Sequence, residues 1–268
     1  MYFKKRLYST LRSLKIKGNI YCRASVDPHA RNDDIWLSSY PKSGNTYLRF
    51  LVASALAGKK LDFYDVDHYA PDIYQVRQSF LEKLPSPRIM KSHELARKDY
   101  AKVFYVVRNP KSVVLSYAYW ANRSKSTSEI EEKMDQIVLD WMERFDGFWD
   151  WEEHIAGWFS LIDQPVPYQK IEWIRYEDMI KNPKAVLEKF FNFAEISIDD
   201  QAIKEAEKNC SKENMRSSEL SIKPFFSSKI RPFVRQGKRP EFEDLVSPRV
   251  KRIFLNKYKY WMSRLGYK

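Results

Sequence analysis

Cysteine is nearly absent from this chain: there are two in 268 residues, Cys22 and Cys210. Two thiols make no disulfide framework, and no CxxC clip is present to hold a metal. Glycine is also sparse, at seven residues, and no Gly/Ser-rich linker divides the chain. One domain is the simplest reading. No apolar run approaches the roughly 18 residues of a membrane span. No unit of about 20–50 residues recurs, which argues against a solenoid. The basic segment Met1–Lys17 lacks the continuous apolar core of a secretory signal. These absences describe a soluble protein of a reducing, cytoplasmic compartment. The composition, 44% hydrophobic and 31% charged, supplies a sizeable core and excludes a disordered or collagen-like chain.

Acidic charge is in deficit. Forty-seven Lys and Arg against 35 Asp and Glu leave a net charge of +12, which favours an anionic partner. No zinc-finger, helix-turn-helix or RNP-type signature accompanies that charge, so no nucleic-acid partner is expected. Residues 1–23 carry seven cations and no acid, and Phe3, Leu7, Leu11 and Leu14 recur at helical spacing. Two arrangements satisfy this pattern: a helix lying on an anionic membrane surface, and a terminal helix packed on its own domain. Residues 1–30 are therefore read as a separate basic segment, with peripheral membrane contact as one option, and 31–268 as the domain.

Within the domain, short apolar runs alternate with helical patterns. Ile35–Tyr40 reads as a strand, closed by Pro41-Lys42-Ser43-Gly44-Asn45, and a helix runs from Thr46 to Ala57. Val103–Val107 reads as a strand buried on both faces, followed by Asn109 and Pro110 at a helix start. Ile171–Tyr176 precedes another helix over Pro183–Phe193. The alternation predicts an α/β fold, a central parallel sheet flanked by helices, with its ligand at the carboxyl ends of the strands.

The first loop places a lysine, two hydroxyls and consecutive backbone N–H groups at a helix N-terminus, where donors and dipole converge on an anion. The nucleoside-triphosphatase pattern GxxxxGK(S/T) does not fit: the first glycine is missing, and Lys42 precedes Gly44.

Tyr40-Pro41-Lys42-Ser43-Gly44 resembles the phosphosulfate loop of the cytosolic-type sulfotransferases, usually YPKSGTTW, with Asn45 and Tyr47 in place of Thr and Trp. Four more segments agree in order. Pro87-Arg88-Ile89-Met90-Lys91-Ser92-His93 is similar to PRxxKTH, and Tyr105 to Tyr117 is similar to YxxRNPKDVxxSYY. Arg175-Tyr176-Glu177-Asp178-Met179 is similar to (R/F)YEDM, and Phe233-Val234-Arg235-Gln236-Gly237 to FxRKG. The resemblance spans about residues 35–268. It implies a P-loop-like fold and an enzyme that moves a sulfuryl group from 3′-phosphoadenosine 5′-phosphosulfate (PAPS) to a hydroxyl, releasing adenosine 3′,5′-bisphosphate (PAP).

His93 is the natural general base, since an imidazole takes a hydroxyl proton near neutral pH. Lys91 lies two residues earlier and on the same side of an extended segment. The resemblance makes Lys91 a stabiliser of the moving group and Lys42 the clamp on the 5′-phosphate, with no metal. It likewise assigns Arg108, Ser116, Arg235, Gln236 and Gly237 to the 3′-phosphate. Ser43, Gly44, Asn45 and Thr46 go to the 5′ side, and Tyr47, Tyr176, Ser211 and Met215 go to the nucleoside. In Trp141–Phe159, Trp149, His154 and Trp158 are candidates for the acceptor pocket, as is His68, although such aromatics are as often core. Residues 122–135 read as a mobile flap or a solvated helix end. The alternatives to a sulfotransferase are a P-loop-type nucleotide kinase and a non-catalytic basic protein that binds nucleic acid or anionic lipid.

Overall fold

The computed structural model describes residues 29–63, 65–143, 149–221 and 240–268, except for the side chains of Leu220 and Ser221. The expected N-terminal helix and Arg235, Gln236 and Gly237 lie outside these residues.

In chain order, β1 (Ile35–Ser39) leads into α1 (Asn45–Ala57), then β2 (Ile89–Ser92), β3 (Lys102–Val107) and α2 (Pro110–Ala121). After these come α3 (Trp151–Asp163), β4 (Lys170–Arg175), α4 (Tyr176–Lys181), α5 (Pro183–Ala194), α6 (Asp200–Asn209) and α7 (Pro248–Arg264). The strands form one parallel sheet in the order β2-β1-β3-β4. This is the expected α/β architecture, with β2 added where only an extended segment was expected.

Strand alternation divides the apolar residues between two faces. Trp36, Met90, Val103, Tyr105 and Val107 pack with α2, α3 and α7. Ile35, Leu37, Ile89, Phe104 and Val106 pack with α1, α5 and α6. Both sides of β1 and β3 are therefore covered, which is why these strands read as continuous apolar runs.

Helix starts follow local chemistry. Asn109 Oδ1 accepts from the Lys111 N–H ahead of Pro110, and Asp150 Oδ1 accepts from Glu152 N–H to begin α3. Residues 122–135 are not a flap. Ser126 and Glu129 form a reciprocal capping box that starts the helix Thr127–Glu132, and Ile130 and Met134 are fully buried. Apolar anchoring outweighs the polar composition of that stretch.

Because β1 lies between β2 and β3, the chain reverses its winding direction at β1. The loops after β1 and β3 then face each other across the crevice where parallel α/β sheets bind ligands. Phe104 is central to the α1 face and fully buried against Phe190 and Phe193. Phe104→Ala is expected to lower the unfolding free energy by about 3–5 kcal/mol, measured by urea denaturation; a loss below about 1 kcal/mol would contradict close packing there.

Candidate functional site

The turn after β1 is bent by two left-handed residues, Lys42 (φ 68°) and Gly44 (φ 98°). Gly44 is required there. A Cβ would lie 2.2 Å from Cδ2 of Tyr176, whose ring walls the loop. The bend delivers Ser43, Thr46 and the first backbone N–H groups of α1 to one point. Ser43 Oγ is buried with no hydrogen-bond partner among the described residues, an arrangement that fits an incoming anion.

Arg108, at the end of β3, closes the other side. Its Nη1 donates to the Lys42 carbonyl at 2.8 Å, and its guanidinium lies 4.2 Å from the centre of the Tyr176 ring. Lys42 Nζ rests 5.0 Å from the centre of the Trp120 ring on α2. Lys42, Ser43, Gly44, Arg108 and Tyr176 are thus one contact group. Ser116 is half-buried on the same helix as Trp120.

Asn45 departs from expectation. Its Nδ2 turns inward and donates to the Leu37 carbonyl at 2.8 Å and to Ser39 Oγ at 3.2 Å. The side-chain amide thus ties α1 to β1. Tyr47 is half-buried near Tyr176 and Cys210, and burial raises its hydroxyl pKa. Burial also pushes the Cys210 thiol up to about 12, so it remains a thiol. Met215 is a core residue at 6% exposure, and Ser211 Oγ accepts the Asn214 N–H at the start of its helix. Met215 thus packs into the core, and Ser211 caps the 212–221 helix.

His93 ends β2. Its Nδ1 lies 2.7 Å from the Ser39 carbonyl, which can only accept, so the neutral ring carries its proton on Nδ1 and its lone pair on Nε2. Burial first, and then the Lys91 charge, hold its pKa well below the ordinary value. The fold therefore presents an unprotonated base at neutral pH. Tyr74 Oη accepts the His93 N–H at 2.8 Å and donates to Glu94 Oε1 at 2.9 Å, with its ring parallel to the imidazole.

Lys91 is tied down by a carboxylate. It is 5% exposed, and its Nζ donates to Asp72 Oδ2 at 2.6 Å. Arg49 joins the same group through Asp67 at 2.8 Å and Asp72 at 3.5 Å.

The acceptor candidates divide. His154 and Trp158 are fully buried and are not pocket residues. His154 Nε2 lies 3.2 Å from the His93 carbonyl and Nδ1 2.7 Å from Tyr105 Oη, while Trp158 donates to the Glu94 carbonyl. Both bond to the backbone carbonyls of His93 and Glu94. Burial lowers the His154 pKa to about 4. Trp149 is half-buried beside the N-cap of α3, and His68 is exposed, with its ring edge on Phe80. Sequence reasoning missed Trp120, Tyr74 and Asp72; the first two carry no signal beyond being aromatic.

The model of the sulfotransferase domain family matches residues 32–266, and the chain belongs to that family. It is 28% identical over 234 residues to sulfotransferase 1 family member D1 of Mus musculus, covering 78% of this chain and 76% of the relative. It is 27% identical over 208 residues to human sulfotransferase 4A1, covering 71% of each. The fold matches mouse sulfotransferase SULT7A1 complexed with PAP, with TM-score 0.64 at 22% identity over 87% of this chain and 84% of that one. It also matches retinol dehydratase in complex with retinol and PAP, with TM-score 0.58 at 16% identity over 87% and 82%.

His93 and His154 are expected to show opposite neutral tautomers, Nδ1–H and Nε2–H, in imidazole ¹⁵N spectra, with neither titrating between pH 6 and 8. Both folded-state values are depressed, so the unfolded chain binds the extra protons. Stability should fall as pH drops below about 6.5 toward about 4. A His93 resonance titrating near 6.5 would overturn this assignment.

Proposed function

We propose that this chain catalyses transfer of a sulfuryl group from PAPS to a hydroxyl-bearing acceptor, with His93 as general base and Lys42 as the principal cationic clamp. The observation that carries the reading is the meeting of two features at one strand-end crevice. One is an anion-shaped loop with an orphaned, buried Ser43 hydroxyl; the other is a histidine held neutral with its lone pair on Nε2.

When bound, the donor supplies the sulfuryl group together with a phosphate leaving group. The chain's own part is positioning and charge. The α1 N-terminus and Ser43 would hold the 5′-phosphate, and the Lys42 ammonium would balance charge developing on its oxygen. Arg108 and Ser116 would take the 3′-phosphate, which separates this nucleotide from other adenylates. Tyr47 and Tyr176 would face the nucleoside. His93 Nε2 would accept the acceptor's hydroxyl proton, and the Ser39 carbonyl stabilises the resulting imidazolium through Nδ1–H. Trp120 against Lys42 and Tyr74 against His93 supply aromatic faces, which suit a flat alcohol or phenol as acceptor.

Thermal melting tests the donor site. PAP at about a hundred times its dissociation constant should add roughly 2.7 kcal/mol of stability, whereas Mg²⁺-ATP and 5′-AMP should add much less. Lys42→Met and Arg108→Ala should abolish the shift. His93→Ala should keep it while turnover of PAPS with 2-naphthol falls at least about a hundredfold. Near-normal turnover by His93→Ala, or equal stabilisation by ATP, would refute the proposal.

A further inference from the structure

Lys91, Asp72, Arg49 and Asp67 form a cluster of two cations and two carboxylates with almost no exposure. They come from four places: β2, the segment at 71–73, α1, and the short turn Asp65–His68. The segment at 71–73 lies along the outer edge of β2, with Asp72 bridged to Lys91 and Lys91 N–H donating to the Pro71 carbonyl at 2.9 Å. This backbone pairing brings the Asp72 carboxylate onto the same side of β2 as the Lys91 ammonium.

Asp72 has more partners than an isolated ion pair needs. Oδ2 accepts from Lys91 Nζ at 2.6 Å and Gln75 Nε2 at 3.1 Å, and Oδ1 accepts from Tyr74 N–H at 3.1 Å. Its own N–H donates to Asp67 Oδ1 at 2.9 Å, fixing the carboxylate's origin. Two of its partners act directly on His93: Tyr74 through its hydroxyl and ring, and Lys91 through its charge.

We propose that Asp72 is a positioning residue of the transfer reaction. Its carboxylate holds Lys91 protonated and in place beside His93, and it sets the backbone from which Tyr74 reaches the imidazole. This rests on His93 as the base and on the stabilising role that the family resemblance implies for Lys91. Burial lowers the Lys91 pKa, and the Asp72 carboxylate opposes that loss. The charged or titratable groups facing Lys91 are Asp72, Asp67, Arg49 and His93. Of these, Asp72 makes the direct bond.

Turnover is read as PAP released from PAPS with 2-naphthol present, as a function of pH, for Asp72→Asn, Lys91→Met and the double variant. Asp72→Asn should lose about tenfold at pH 7.5, in the range of coupling between contacting residues. Its alkaline limb should move about one unit or more toward acid, because Lys91 now sheds its proton earlier. The double variant should be no slower than Lys91→Met alone. Independent, multiplying losses, or an alkaline limb that stays in place, would overturn the proposal. If Asp72→Asn does not fold, the double variant, which strands no buried ammonium, still decides through its comparison with Lys91→Met. A Lys91→Met enzyme at the wild-type rate would overturn this inference while leaving PAP binding and the His93 role intact.

Discussion

Burying a charge without a partner is among the most unfavourable things a fold can contain, and this fold buries four between α1 and β2. Arg49 and Lys91 are held inside only because Asp67 and Asp72 accompany them. That requirement fixes the geometry of everything nearby. Arg49 lies in the second turn of the helix that begins at the phosphate loop. Lys91 lies two residues before His93, and Asp72 two before Tyr74. The loop, the base and the aromatic beside it are thereby tied through one charge-balanced group. A shift of any member would leave an uncompensated ion, so the elements cannot move independently.

The second coupling runs through backbone carbonyls. The Ser39 carbonyl, at the end of β1, fixes the His93 tautomer, and the His93 carbonyl receives Nε2–H of His154 from below. Tyr105, on the neighbouring strand, completes the line by donating to His154. Three adjacent parallel strands are thus linked through one residue, His93, whose ring bonds to one of them and whose carbonyl is reached from another through His154. Parallel pairing makes this possible, because all four strands finish on the same side of the sheet. The phosphate loop continues directly from Ser39, so the anion cradle and the base share an origin only a few residues apart.

Much of this was legible from the chain alone, and the reason is local chemistry. A left-handed glycine before a helix, a strand ending in arginine, and Lys and His two apart on an extended segment are patterns a short window contains. The partners that make those residues work were not legible. Asp72 precedes Lys91 by 19 positions, in a stretch with no periodicity, and only strand-edge pairing brings them together. The aromatics of Trp141–Phe159 misled for a related reason. A ring on a helix reads the same whether that face meets a pocket or a sheet, and here the α3 face meets Tyr105 and Tyr100. Asn45 is a third case: its position at an anion-binding turn suggested a ligand contact, but the Leu37 carbonyl needed a donor more urgently.

Burial also decides what sort of base His93 can be. A buried imidazole beside an ammonium is a weaker base than a solvated one, since both influences disfavour the cation. In exchange burial favours its neutral form. An imidazolium formed during transfer would be stabilised by the Ser39 carbonyl and, around a loaded site, by the anionic donor. Asp72 serves the same balance from the other direction, because its negative charge raises the His93 pKa while anchoring the ammonium that lowers it. A base and a cation can therefore sit two residues apart without the cation silencing the base. The carboxylate beside them makes that proximity usable.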